Sequence, residues 1–153
     1  MNHWDRKVIR DQLDKKLANL KEFSAAMPQQ GWIKTIREAL GLSAAQLGKK
    51  AGVDQSRISR LENAEKNGDL KLSSLQKIAK SLNMKFVYGF VPEYTLEMMA
   101  REQAKRIARK RLKILDGTMR LEKQALSQEE QEKALDDMIE KILVDHPKDF
   151  WDE

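Results

Sequence analysis

Four side chains pose the chemical question in this chain: Gln55, Ser56, Ser59 and Arg60, in the run DQSRISRLEN. On a helix these positions share one side, so an amide, two hydroxyls and a guanidinium point the same way. Their chemistry is hydrogen bonding to a fixed partner. Arginine and glutamine can each hold a base edge with two bonds, and serine can donate or accept. Ile58 and Leu61 fall on the other side, where a core takes them. The outward set is expected to contact the bases of double-stranded DNA; the plainer alternative is a solvated polar face.

Other chemistries are poorly supplied. The two histidines, His3 and His146, lie at opposite ends of the sequence, and there is no cysteine. No carboxylate cluster has metal-ligand spacing, and the glycines fall at helix ends and turns instead of in a phosphate loop. The expectation is therefore no enzyme, no cofactor and no metal, and no small-molecule ligand is legible. No apolar run approaches the roughly 18 residues that span a membrane. The lack of cysteine suits a reducing compartment, so a cytoplasmic protein is expected.

The elements that must position the four tips are local. In SAAQLGKKAGVDQSRISRLEN, Ser43 and Gln46 form a capping box that opens a helix. Leu47, the small Gly48 and Ala51 give its inner side. Gly52 can take the left-handed conformation that ends it. Val53 plugs the turn, and Asp54 is a good N-cap for the next helix, whose reading part is Gln55 to Leu61. Two helices set by a glycine turn are a helix-turn-helix, the shape whose second helix the major groove admits.

Around this core the chain divides into four segments: an N-terminal helix in residues 1–30, the helix-turn-helix domain in 31–84, a strand and dimerisation segment in 85–92, and a C-terminal helical extension in 93–153. Residues 4–24 repeat apolar positions at helical steps through Val8, Ile9, Leu13, Leu17, Leu20 and Phe23. A packing face against the core or a second subunit is expected there. Trp32, Ile33, Ile36 and Leu40 start the domain proper. A second capping box, from Ser73 to Gln76, is expected to open a helix on Leu75, Ile78 and Leu82. The run KFVYGFVP then reads as one strand, with Phe86, Val87, Tyr88, Phe90 and Val91 as its dimerisation residues. A lone strand leaves unpaired backbone groups, and the simplest partner is the same strand of a second copy. A buried extended connector is the alternative.

Charge is divided unevenly. Residues 1–121 carry 25 Lys and Arg against 13 Asp and Glu, a net of +12, whereas 122–153 carry 4 against 11, a net of −7. The basic part favours a polyanion. Lys34, Arg37, Lys49, Lys50 and Arg57 are the candidate phosphate contacts. A helix from Thr95 to about Ala125 carries a basic face at 101–113, and a third capping box at Ser127 and Glu130 opens an acidic helix at 129–145. The basic face either adds phosphate contacts or packs on the acidic helix in an antiparallel hairpin, the favoured arrangement. Phe150 and Trp151 are core anchors or hooks for a partner.

From Gln46 to Asn63 the chain resembles the XRE, or lambda-repressor-like, helix-turn-helix family: a glutamine opens the second helix, A-G-V forms the turn, and S-x-I-S-x-L-E-N follows. The resemblance covers about residues 31–84 and implies a mainly α fold, base contacts by Gln55, Ser56, Ser59 and Arg60, and phosphate contacts by Gln46 and Asn63. A narrower resemblance covers nearly the whole chain. GWIKTIREALGLS, KFVYGFVP, MRLEKQALS and HPKDFWDE look like the family called mobile mystery protein A. That likeness implies an antitoxin-like repressor of its own operon, with a Fic-domain toxin as partner. A homodimer would place two reading helices about 34 Å apart, one turn of DNA, so an inverted-repeat operator is expected. The helical S/T-x-x-x-E-G/N motif of Fic inhibitors has no match: Thr118 and Glu122 are followed by Lys123, and Glu62-Asn63 is preceded four positions back by Ile58. Two other expectations stand beside repression, a protein-interaction module that neutralises a toxin through the C-terminal helices, and non-specific or RNA binding through the basic helix.

Overall fold

The computed structural model describes residues 1–25, 27–121 and 127–152. Among them are eight helices: α1 (His3–Ala18), α2 (Leu20–Ala25), α3 (Trp32–Ala39), α4 (Ala44–Ala51), α5 (Gln55–Lys66), α6 (Leu72–Ser81), α7 (Leu96–Leu121) and α8 (Gln128–Asp145). The expected segments regroup as two compact units. One is Leu20–Phe90; the other joins Met1–Asn19 to Val91–Glu153.

The first unit is built on Ile33, Leu47, Ala51, Ile58, Leu61 and Ile78. Leu47 and Ile58 are fully buried, each contributing about 1.5–3 kcal/mol of apolar burial. The local devices fall where the residue types put them. Ser43 Oγ accepts from the Gln46 N–H at 3.1 Å, and Gln46 Oε1 accepts from the Ser43 N–H at 2.7 Å. Gly52 closes α4 at φ 69°, a conformation costly for a residue with a Cβ.

Gly48 has a sharper reason to be glycine. A Cβ there would lie 2.6 Å from the Val53 carbonyl oxygen and 3.2 Å from backbone atoms of Asp54. Ala is the better helix former by about 1 kcal/mol, yet backbone cannot step aside as a side chain does, and overpacking costs about 1–3 kcal/mol. Gly48→Ala is therefore expected to lower the denaturation midpoint despite its helix propensity. An unchanged or raised midpoint would show that the turn yields freely.

The N-terminus of α3 is capped from a distance. Gly31 precedes it at φ 88° with no capping side chain. Glu65, near the end of α5, accepts from the Trp32 and Ile33 N–H groups, both at 2.9 Å. One carboxylate thus satisfies two orphan donors and ties α5 to α3.

Three expectations are corrected here. Ser73 does not open α6: the helix starts at Leu72, with Lys71 at the N-cap and no side-chain cap, so Ser73 lies inside the first turn. Residues 85–91 form no strand; they have no regular secondary structure and no ladder partner among the described residues. β-Branched and aromatic residues fit a pleated surface, but a strand also needs a neighbour's hydrogen bonds. Nor is the segment a buried connector, since Val87, Tyr88 and Phe90 are exposed. Third, the helix expected over 4–24 breaks at Asn19, and its two pieces belong to different units.

In the second unit α7 and α8 form the antiparallel hairpin. Ala100, Ala104 and Ala108 bury against Ile139, Ile142, Leu143 and Phe150; small residues on α7 let the larger ones of α8 approach. The Ser127–Glu130 capping box is formed. Hydrogen bonds from Ser127 hold the Glu130 carboxyl below its usual pKa. Arg101 meets Glu140 at 2.8 Å, while Arg106, Arg109, Lys110, Arg111 and Lys113 are exposed. The hairpin is held by its apolar seam more than by its opposite charges. The stretch from Glu122 to about Ala125, expected to end the basic helix, lies outside the described residues.

α1 docks on this hairpin through its polar side. His3 Nδ1 lies 2.8 Å from the Leu143 carbonyl oxygen, Arg10 pairs with Glu97 at 2.8 Å, and Asp14 accepts from the Leu96 and Glu97 N–H groups at 2.7 and 3.2 Å. The apolar residues Trp4, Val8, Ile9 and Leu13 are exposed. The tail divides likewise: Phe150 is buried against the His146 ring at 4.4 Å, and Trp151 is exposed.

Candidate nucleic-acid interface

α5 is fixed to the first unit from below and at both ends. Asp54 Oδ1 accepts from the Arg57 N–H at 2.6 Å, Ile58 and Leu61 are buried beneath, and Glu62 and Glu65 bind α3 from the last turns. At about 100° per residue, Gln55, Ser56, Ser59, Arg60 and Asn63 fall within an arc of about 140°. All five are exposed. The four expected base-contacting residues are therefore presented together, and Asn63 stands among them.

Arg60 bends toward its own helix. Its Nε donates to the Ser56 carbonyl at 3.4 Å, a long bond that a better acceptor displaces. Gln46 spends its amide oxygen in the capping box, which leaves the amide nitrogen as a donor at the α4 N-terminus, where an anion is favoured. Lys49 and Lys50 are exposed in the last turn of α4. Arg57 is also exposed but lies outside the arc. Lys34 is half-buried, 3.9 Å from Glu38.

Arg37 is the departure. Its Nε and Nη2 bind Glu62 at 2.6 and 3.2 Å, and its Nη1 donates to the Leu42 carbonyl at 2.9 Å. The side chain is 13% exposed and that of Glu62 11%. Hydrogen bonding to Glu62 raises the Arg37 pKa further above its ordinary value, against the opposing pull of burial. Its donors are taken inside the domain, so Arg37 is a brace between α3 and α5 and not the phosphate contact expected from its charge. The sequence does not announce Glu62 as the partner of Arg37, nor Glu65 as the acceptor for the Trp32 and Ile33 N–H groups. Both lie on the recognition helix and accept from donors more than twenty residues away.

The expected dimerisation residues are split in burial. Phe86 is half-buried and stacks on Tyr88 at 6.1 Å; Val87, Tyr88, Phe90 and Val91 are exposed.

With helix, turn, caps and polar arc in place, the first unit holds a helix-turn-helix domain. Residues 33–88 match a family model described as helix-turn-helix, which spans α3 to α6 and the segment after it. No curated protein and no solved structure matches the chain. Among the described residues no helix is long and apolar enough to cross a membrane.

Proposed function

We propose that the chain is a sequence-specific DNA-binding repressor that sets α5 in the major groove of one half of an inverted-repeat operator, with a second copy on the other half. The observation that carries this reading is the exposed arc of Gln55, Ser56, Ser59, Arg60 and Asn63 on a helix held rigidly from its other side. Two such helices about 34 Å apart match one turn of DNA. The exposed Val87, Tyr88, Phe90 and Val91 favour contact between copies, since contiguous apolar surface marks interaction sites. On the likeness to mobile mystery protein A, the regulated operon is its own and encodes a Fic-domain partner.

Competition binding tests the reading. The full chain should hold its upstream region at least 10³-fold more tightly than scrambled duplex of equal length, within the range expected for specific complexes. With about six phosphate contacts, affinity should fall by about 10³ between 50 and 200 mM salt. Equal affinity for scrambled DNA would refute sequence-specific recognition.

A second reading, a toxin-binding module, is favoured by the separate core of the α1, α7 and α8 unit. The two readings separate in one variant. Arg60→Ala should weaken operator binding while keeping any toxin neutralisation.

A further inference from the structure

The basic part of α7 has two uses open to it in sequence, packing on α8 or meeting phosphates, and the structure makes them compatible. Ala100, Ala104 and Ala108 form the buried seam. Arg106, Arg109, Lys110 and Lys113 stand at i, i+3, i+4 and i+7, and all four are exposed. At about 100° per residue they fill an arc of about 100°, centred about 170° from the seam, over about 10 Å of helix. One side of α7 closes the hairpin and the opposite side stays open.

The charges on that open side are not balanced within the chain. Arg101 pairs with Glu140 and Lys105 with Glu102, but none of the four has an ion pair among the described residues. Asp137 of α8 lines a groove with Arg109 and Lys113, yet Lys141 lines it too, so the groove keeps a positive rim. Arg106 with Lys110, and Arg109 with Lys113, are like charges four residues apart, which repel on a helix. A stripe that works against its own helix and lacks an internal counter-charge suits an external polyanion. No apolar side chain falls within the arc between 106 and 113, whereas the centre of a protein interface is poor in charge and rich in aromatic groups. Backbone phosphates need only the cations.

We propose that this stripe is a second DNA-contacting surface, one that holds duplex phosphates without reading sequence. It lies wholly on the unit of α1, α7 and α8, apart from the polar arc of α5. The choice of duplex DNA as the polyanion rests on the DNA-binding reading of α5; the unbalanced charge does not.

The test is anisotropy binding of the full chain to a scrambled duplex between 50 and 200 mM salt, which needs no cognate site. Arg106→Gln, Arg109→Gln, Lys110→Gln and Lys113→Gln combined should weaken binding about tenfold or more at the lower salt and make the slope of log affinity against log salt shallower by about 2–4. A control with Lys15→Gln, Lys16→Gln, Lys133→Gln and Lys148→Gln removes the same charge from other exposed sites, and it should change the slope by less than about 1. Should the stripe variant misfold, the pair Arg106→Gln and Lys110→Gln carries the same test with about half the shift. The ratio of cognate to scrambled affinity should survive in the stripe variant, whereas Arg60→Ala lowers that ratio and leaves scrambled binding nearly unchanged. A failure of α5 to read sequence and a failure of the stripe therefore give different results. No binding to scrambled duplex overturns the proposal, as does an unchanged slope in the stripe variants or an equal loss in the control. Poly-glutamate bound through the same four residues, as tightly as duplex of equal charge, would assign the stripe to an acidic protein and overturn it too.

Discussion

Glu62→Ala is expected to cost the helix-turn-helix domain about 3 kcal/mol, at the lower end of the roughly 3–5 kcal/mol seen when one partner of a buried ion pair is removed. The lower end applies because Arg37 keeps its bond to the Leu42 carbonyl, and Glu38 is 4.0 Å away. Deprotonation offers no escape, since an arginine keeps its proton in a protein. What remains is a charged, largely buried guanidinium with two of its three hydrogen bonds gone. For a domain of this size, with about 4–8 °C of melting temperature per kcal/mol, the first-unit transition should fall by more than about 10 °C in a thermal scan. Arg37→Met with Glu62→Leu removes both charges and should recover most of the loss, as apolar replacement of buried pairs often does. A single-variant loss below about 1 kcal/mol would mean that water screens the pair, as it does surface bridges, and that α5 is held by its apolar side alone.

That pair also marks where sequence reasoning stops. The turn, the Ser43 and Ser127 capping boxes, the Asp54 cap and the outward arc of α5 were legible because each is written within nine residues or fewer. The hairpin of α7 and α8 was legible because both helices carry an apolar stripe and adjoin in sequence. Contacts over long separations left no such mark. Nothing near Arg37 announces Glu62, nothing near Trp32 announces Glu65, and Asp14 caps a helix that begins more than eighty residues later. Periodicity also tells which stripes a helix has, not which one is covered. On α1 the polar series His3, Arg6, Arg10 and Asp14 lies on the hairpin, where Glu97 pairs with Arg10 and the Leu96 and Glu97 N–H groups donate to Asp14. The apolar series lies outside. The same long reach brings the two ends of the sequence together: the His3 ring meets the carbonyl of Leu143 on α8, one turn before His146. At 85–91 the residue types favoured a strand, but no ladder partner stands beside it among the described residues.

Arg60→Ala should reveal whether the arc on α5 reads sequence. A bidentate arginine on guanine is worth about 1–3 kcal/mol of discrimination, so affinity for the cognate site should fall roughly 5- to 150-fold. Affinity for random duplex should fall only by the share of one phosphate charge. Folding should be untouched, because the residue is exposed and gives up only a 3.4 Å bond to Ser56; such surface changes usually stay within about 0.5 kcal/mol. Lys49→Ala and Lys50→Ala provide the contrast. Each should weaken cognate and random DNA alike and reduce the slope of log affinity against log salt by about 0.9. Arg60→Ala should leave that slope nearly unchanged if its guanidinium sits on a base edge. Were Arg60→Ala to act like the lysines, with uniform loss and a shallower slope, Arg60 would be a phosphate contact. Specificity would then rest on Gln55, Ser56, Ser59 and Asn63, of which only the two amides can hold an adenine with two bonds. The same measurement on Gln55→Ala and Asn63→Ala would decide which of them does.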